Sequence, residues 1–333
     1  MAGVSTPELA AAVSNAGALG AISVGAASVS EAAELIEATR QRTSRALNVN
    51  VFCHAPAQRD AARERAYIAR FRSELARFGA APPEALREIY QSFLTHDALL
   101  DLLVAKRPEV VSFHFGLPDR ARIERLRAAG CVLLASVTSL AEARAVAAAG
   151  VHAVVAQGYE AGGHRGVFDP RAPDDRLGTL ALTRILAREL ALPVIAAGGI
   201  MDGAGIAAVL ALGAAGAQLG TAFIACPESS ADEGYRAALR GDAAHHTVMT
   251  RAISGRRARC LSNAFTALGE HIPISEVPDY PVAYDLGKAL HAAAKACGEL
   301  GYGAQWAGQG APLSRPLPAA QLVAELVSEL AEA

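Results

Sequence analysis

The chemistry-bearing residues of this chain fall in four places. The first is Gln157-Gly158-Tyr159-Glu160-Ala161-Gly162-Gly163-His164-Arg165-Gly166, directly after an apolar run ending at Ala156. A polar loop with four glycines packs poorly and cradles a ligand well. Within it His164 is able to donate a hydrogen bond, to carry positive charge near neutral pH, or to remove a proton. The second and third are Ala196-Ala197-Gly198-Gly199-Ile200 and Gln218-Leu219-Gly220-Thr221. Taken singly, each reads as a tight turn. As consecutive units they favour a phosphate site, because glycines let the backbone approach an anion and helix N-termini supply donors. The fourth is Tyr280-Pro-Val-Ala-Tyr284-Asp-Leu-Gly-Lys288. Tyr284 and Lys288 are four apart and share a helix face, with Tyr280 in the extended approach before Pro281. Two phenols and an ammonium suit an anionic ligand, although an exposed lysine near a helix start has the same pattern. Asn50 at a strand end and His114 in Ser-Phe-His-Phe-Gly are weaker signals, and a lone histidine such as His114 often only satisfies a core.

These residues need a scaffold, and a repeated unit supplies one. Helical segments end in Ala-Gly and are followed at once by short apolar strands, as at Ala16-Gly17, Ala129-Gly130 and Ala149-Gly150. Thr6 with Pro7 marks one helix start, and Ser28 with Glu31 forms a capping box at the next. Strands are expected at Leu19–Ile22, Leu47–Val51, Val110–Phe113, Cys131–Ala135, Val151–Ala156, Val194–Ala197 and Ala217–Leu219. Unalternating apolar runs suit parallel strands covered on both faces. Seven such units favour a (β/α)8 TIM barrel, an α/β fold whose eighth strand, the first in order, is expected upstream of Met1. The barrel is assigned to 1–57 and 96–241. Residues 58–95 read as a helical insertion, 242–316 as a cap beside the barrel mouth, and 317–333 as a C-terminal surface helix with no function.

Composition narrows the class. The chain has 333 residues, 31 Lys plus Arg against 33 Asp plus Glu, and 52% hydrophobic residues. A large core is available, and the absence of a dense basic face argues against a nucleic-acid partner. Five scattered cysteines without a C-x-x-C pair argue against a zinc site or a disulfide framework and fit a reducing cytoplasm. Residues 203–226 carry no charge, but Gly213, Gly216, Gly220 and Gln218 point to a helix, a turn and a buried strand rather than a membrane span. Residues 9–30 lack the positive lead-in of a signal peptide. Oligomeric state is left open.

Together the motifs resemble the nitronate monooxygenases, FMN-dependent barrel enzymes. The matching stretches are Met1 to Leu9, Asn48-Val-Asn50-Val-Phe, Val111 to Gly116, Gln157 to Gly166, Ala197 to Ile200, Gln218 to Thr221 and Tyr280 to Lys288. The Tyr280, Tyr284 and Lys288 pattern is similar to the class that oxidises propionate 3-nitronate. The resemblance implies that Asn50 and Gln157 contact the flavin ring. It likewise implies that Gly162, Gly199, Gln218, Leu219, Gly220 and Thr221 hold the ribityl phosphate. His164 is then the active-site histidine, and Met1, Tyr90, His114, Tyr280, Tyr284 and Lys288 line the substrate pocket. The expected partners are a small nitronate and O2, with nitrite or nitrate and a carbonyl compound as products, and no metal. Lys288 and the tyrosines are expected to clamp one anionic end, His164 or His114 the other. An NAD(P)H-dependent flavin reductase, acting on quinones or enoyl thioesters, shares the Gly-Gly-His loop. A non-catalytic flavin- or phosphate-binding barrel is the third reading.

Overall fold

A computed structural model describes residues 1–333. Its ten strands are, in chain order, β1 (Gly20–Ser23), β2 (Leu47–Phe52), β3 (Val110–His114), β4 (Val132–Val137), β5 (Ala153–Gln157), β6 (Gly163–His164), β7 (Val194–Ala197), β8 (Gly216–Gln218), β9 (Thr247–Thr250) and β10 (Ala258–Leu261). Seven of them form one parallel sheet in the order β1-β2-β3-β4-β5-β7-β8, curled into a barrel-like wall. These are the seven strands expected within this chain. Strands β1 and β8 each pair on one side only, and Ala2 to Val4 form a turn. No helix is long and apolar enough to cross a membrane.

Local chemistry accounts for the repeat. Thr6 caps the helix Pro7–Asn15, and Ser28 with Glu31 forms the full capping box on Val29–Arg40. The helix Arg120–Ala128 ends in Ala129-Gly130, and Gly130 takes φ 91°, the left-handed conformation that releases the chain into β4. Along the strands the two faces separate by period two. Val49, Val51, Val111, Phe113, Leu133, Ala135, Val154 and Ala156 pack outward with Ile36, Leu103, Leu126, Val146 and Leu186 of the surrounding helices. Val110, Leu134, Ala153, Val155 and Ala197 pack inward as a smaller cluster. The inward positions nearer the C-terminal ends are Asn50, Ser112 and Gln157, all buried. The wall therefore turns polar where it meets the site.

Two segments build the mouth. Residues 58–95 are helical only in their first part, at Ala61–Arg70 and Arg72–Arg77, since Pro82-Pro83 block continuation. Those helices do not stand alone. Tyr67, Ile68, Phe71, Leu75 and Leu86 share one core with Ile253, Cys260, Phe265, Val277, Leu286 and Leu290 from the later excursion. The C-terminal helix Ala319–Glu332 is more than a surface helix. Leu322, Val323 and Leu326 are buried against Leu9 and Val13, and Glu329 accepts the Gly203 N–H at 2.8 Å, capping the helix Gly203–Ala211.

Candidate active site

The loop after β5 is pinned by its own strand. The Gln157 amide donates to the His164 carbonyl at 2.9 Å, and its oxygen accepts the Gly166 N–H at 2.7 Å. His114, at the end of β3, meets the same carbonyl through Nε2 at 3.2 Å. A carbonyl only accepts, so His114 carries its proton on Nε2. A third hold comes from β10, where Ala258 pairs with His164 in an antiparallel ladder. The imidazole itself reaches Ser254 Oγ through Nε2 at 2.8 Å. Gln157 and His114, expected at the flavin and the substrate, therefore also fix the backbone of His164. Asn50 is anchored similarly, donating to Ser112 O and Oγ at 3.1 and 3.0 Å.

Around His164 stands an aromatic enclosure. Its ring lies 5.3 Å from Tyr280, 6.0 Å from Tyr284, 5.6 Å from Phe115 and 5.0 Å from Trp306. Tyr90 joins from the insertion, 6.2 Å from Tyr280 and 6.0 Å from Tyr284. Tyr284 and Lys288 share a face of the helix Val282–Ala296, as their spacing requires. The Lys288 ammonium sits 5.4 Å from the Tyr90 ring and 5.6 Å from the Tyr284 ring. The residue as a whole is exposed, yet partial burial of its ammonium lowers its pKa and no acidic group offsets that. Much of Met1 is exposed, but its amino terminus is buried with a lowered pKa and acts on His114 and His164, while Ala2 packs on the aromatic cluster.

Electrostatics corrects one expectation. Burial holds His164 well below the ordinary histidine value, helped by His114 and by the Arg256 cation. Burial, then Arg256, takes His114 down to about 3 and His54 to about 4. At neutral pH these imidazoles are uncharged, so neither His164 nor His114 supplies a positive clamp in this state. The reason is desolvation, which penalises a charged ring inside an aromatic wall. Burial also raises the phenols of Tyr280, Tyr284 and Tyr90, which stay protonated as donors.

Arg256 was not singled out from the sequence. It is 3% exposed, its guanidinium lies 4.2 Å from the Phe115 ring centre and donates only to the backbone carbonyls of Val167 and Arg165. The available signal was Arg256-Arg-Ala-Arg259 leading into the apolar strand β10, where arginines are out of place unless the structure uses them.

The glycine turns after β7 and β8 stand side by side, since Ala197 pairs with Gln218. Gly198 and Gly199 take φ 123° and 71°, which only glycine adopts without strain. The N–H groups of Gly199, Gly220 and Thr221 bond to no acceptor of the chain. The space beyond Gly220, where a side chain would start, is open. Thr221 Oγ1 accepts the Gly308 N–H at 2.9 Å, tying the turn to residues 307–310. Gly162 has a packing reason of its own: a Cβ there would stand 2.4 Å from Gly308 N. Gln218 and Leu219 are part-buried between these turns. Glu160 accepts from Thr179 N and Oγ1 and so holds the start of the helix Thr179–Glu189.

Residues 1–329 match the family described as nitronate monooxygenase. The chain is 61% identical over 330 residues to a nitronate monooxygenase of Paraburkholderia phytofirmans, covering 99% of this chain and 90% of that one. It is 53% identical to a nitronate monooxygenase of Pseudomonas aeruginosa, covering 99% and 94%. Among solved structures it is similar to a nitroalkane oxidase from Streptomyces ansochromogenes, with TM-score 0.91, 42% identity, and coverage of 100% and 94%. It is also similar to FabK from Thermotoga maritima, with TM-score 0.75, 30% identity, and coverage of 100% and 91%.

Proposed function

The chain belongs to the nitronate monooxygenase family, an enzyme class acting on nitronates with O2, and from that premise we propose that it is an FMN-dependent monooxygenase of alkyl nitronates, propionate 3-nitronate being the substrate of reference. The products are a carbonyl compound and nitrite or nitrate. In this reading residues 1–57 and 96–241 carry the cofactor, while 58–95 and 242–316 cover it.

The donor set fits FMN. The unbonded N–H groups of Gly199, Gly220 and Thr221 suit its phosphate, with Gly162, Gln218 and Leu219 beside them, and Asn50 and Gln157 would meet its ring from the polar end of the barrel wall. When bound, FMN supplies the electron-accepting chemistry that links the substrate to O2. The protein's own residues do the rest. Lys288, Tyr90, Tyr280 and Tyr284 bind and orient the anion. Neutral His164 offers its ring as hydrogen-bond partner, and for a neutral nitroalkane as the group that takes the α-proton. Phe115, Trp306 and the tyrosines exclude water.

The observation that carries this reading is Lys288, an ammonium without an ion-pair partner, set over the rings of Tyr90 and Tyr284, the second of which faces His164. The uncharged nicotinamide ring that a hydride donor such as NAD(P)H presents to a flavin offers that ammonium no anionic partner. Anaerobic mixing tests it: propionate 3-nitronate should bleach the flavin rapidly and NADH slowly. The reverse order would assign the chain to the flavin reductases.

A further inference from the structure

Phe115 lies at the centre of the enclosure. Its ring is 4.4 Å from His114, 5.6 Å from His164, 5.4 Å from Tyr280 and 6.5 Å from His54. Arg256 covers its other face at 4.2 Å. No carboxylate is in ion-pair contact with this guanidinium, and its bonds go to two backbone carbonyls. Glu142 and Asp169 favour the cation only at longer range and do not offset its burial, so an anion arriving nearby would remove part of the remaining cost. From Arg256 a row of rings runs through Phe115, Tyr280 and Tyr90 to Lys288, with steps of 4.2, 5.4, 6.2 and 5.4 Å. Cations that make no ion-pair contact thus close both ends of one aromatic wall, and His164 meets its middle at Phe115 and Tyr280.

We propose that Arg256 is the second charge of a two-cation substrate site, its field orienting the nitronate end of a dianionic substrate while Lys288 binds its carboxylate end. This deepens the proposed function and rests on it for the identity of the substrate. Arg256 acts through space from behind Phe115, so it is a positioning residue rather than a catalytic one. Its field also favours the neutral form of His114, His164 and His54, in keeping with their lowered values. The low-dielectric wall keeps that field from being screened as it would be in water.

The test compares an anion with a neutral molecule of similar size in the FMN-loaded enzyme. Sodium nitrate, an inert planar oxyanion, and nitroethane are titrated under anaerobic conditions, with the flavin spectrum as readout. Arg256→Gln should weaken nitrate binding about tenfold, leave nitroethane within about twofold, and Arg256→Lys should recover part of the loss. Unchanged nitrate affinity in Arg256→Gln, equal losses for both molecules, or no nitrate binding by the parent enzyme would each overturn the proposal. Should Arg256→Gln not fold, Arg256→Lys carries the test, with a nitrate affinity below the parent's and nitroethane unchanged as the supporting result. Failure of the parent enzyme to oxidise any nitronate would sink the functional reading instead, and the nitrate titration separates the two cases.

Discussion

Charge at the site comes from few residues, and burial decides which. The histidines are uncharged because the enclosure desolvates them, whereas a lysine whose stem reaches solvent keeps its proton. Lys288→Met should therefore raise KM for propionate 3-nitronate about tenfold and change KM for ethyl nitronate about twofold or less. Steady-state kinetics with both substrates checks this, and equal changes would remove Lys288 from the carboxylate. The buried histidines also couple stability to pH. His114 and His54 bind protons more weakly folded than unfolded, so they stabilise the fold fully above their ordinary value near pH 6.5. That contribution is lost as pH falls toward about 4 and then about 3. Thermal melts of the parent between about pH 7 and 4 should show a falling Tm, and His114→Gln should flatten the slope.

The loop that carries His164 is closed by one buried ion pair. Arg165 pairs with Asp174 through two contacts of 3.0 Å, at side-chain exposures of 1% and 4%, and donates to Gln157 O at 2.5 Å. Burial alone would raise the Asp174 carboxyl, and the Arg165 hydrogen bonds together with the Arg176 backbone N–H bring it below the usual range. Such a pair is weak evidence of net stability, but breaking it strands a buried charge. Arg165→Ala should cost about 3–5 kcal/mol in urea unfolding and lower turnover by displacing His164. A cost under about 1 kcal/mol would mean that water replaces the arginine freely. Legibility at this scale was uneven. The Gln157 to Gly166 loop was evident from its glycines and polarity, whereas the partner of Arg165 lies nine residues on, where no periodic pattern marks it.

Across the whole molecule, the mouth is held by a core separate from that of the barrel. Phe71 of the insertion and Phe265 of the excursion meet edge-to-face at 5.4 Å, both essentially buried. Phe71→Ala should lower unfolding free energy by about 3–5 kcal/mol and raise KM as Tyr90 loses its support, measured by urea titration and initial rates. A variant with full stability would show the insertion to be an independent flap. The sequence by itself determined the parallel strand–helix repeat, the helix caps at Thr6 and Ser28, the paired glycine turns, and the Tyr284–Lys288 face. Each of these is written in local spacing, which backbone geometry converts directly into shape. Only the tertiary structure decided that residues 61–86 join residues 253–302 in one core, that the histidines are neutral, and that Arg256 stands behind Phe115. Those depend on which distant surfaces exclude water together, and desolvation is a property of the assembled neighbourhood rather than of any stretch of chain.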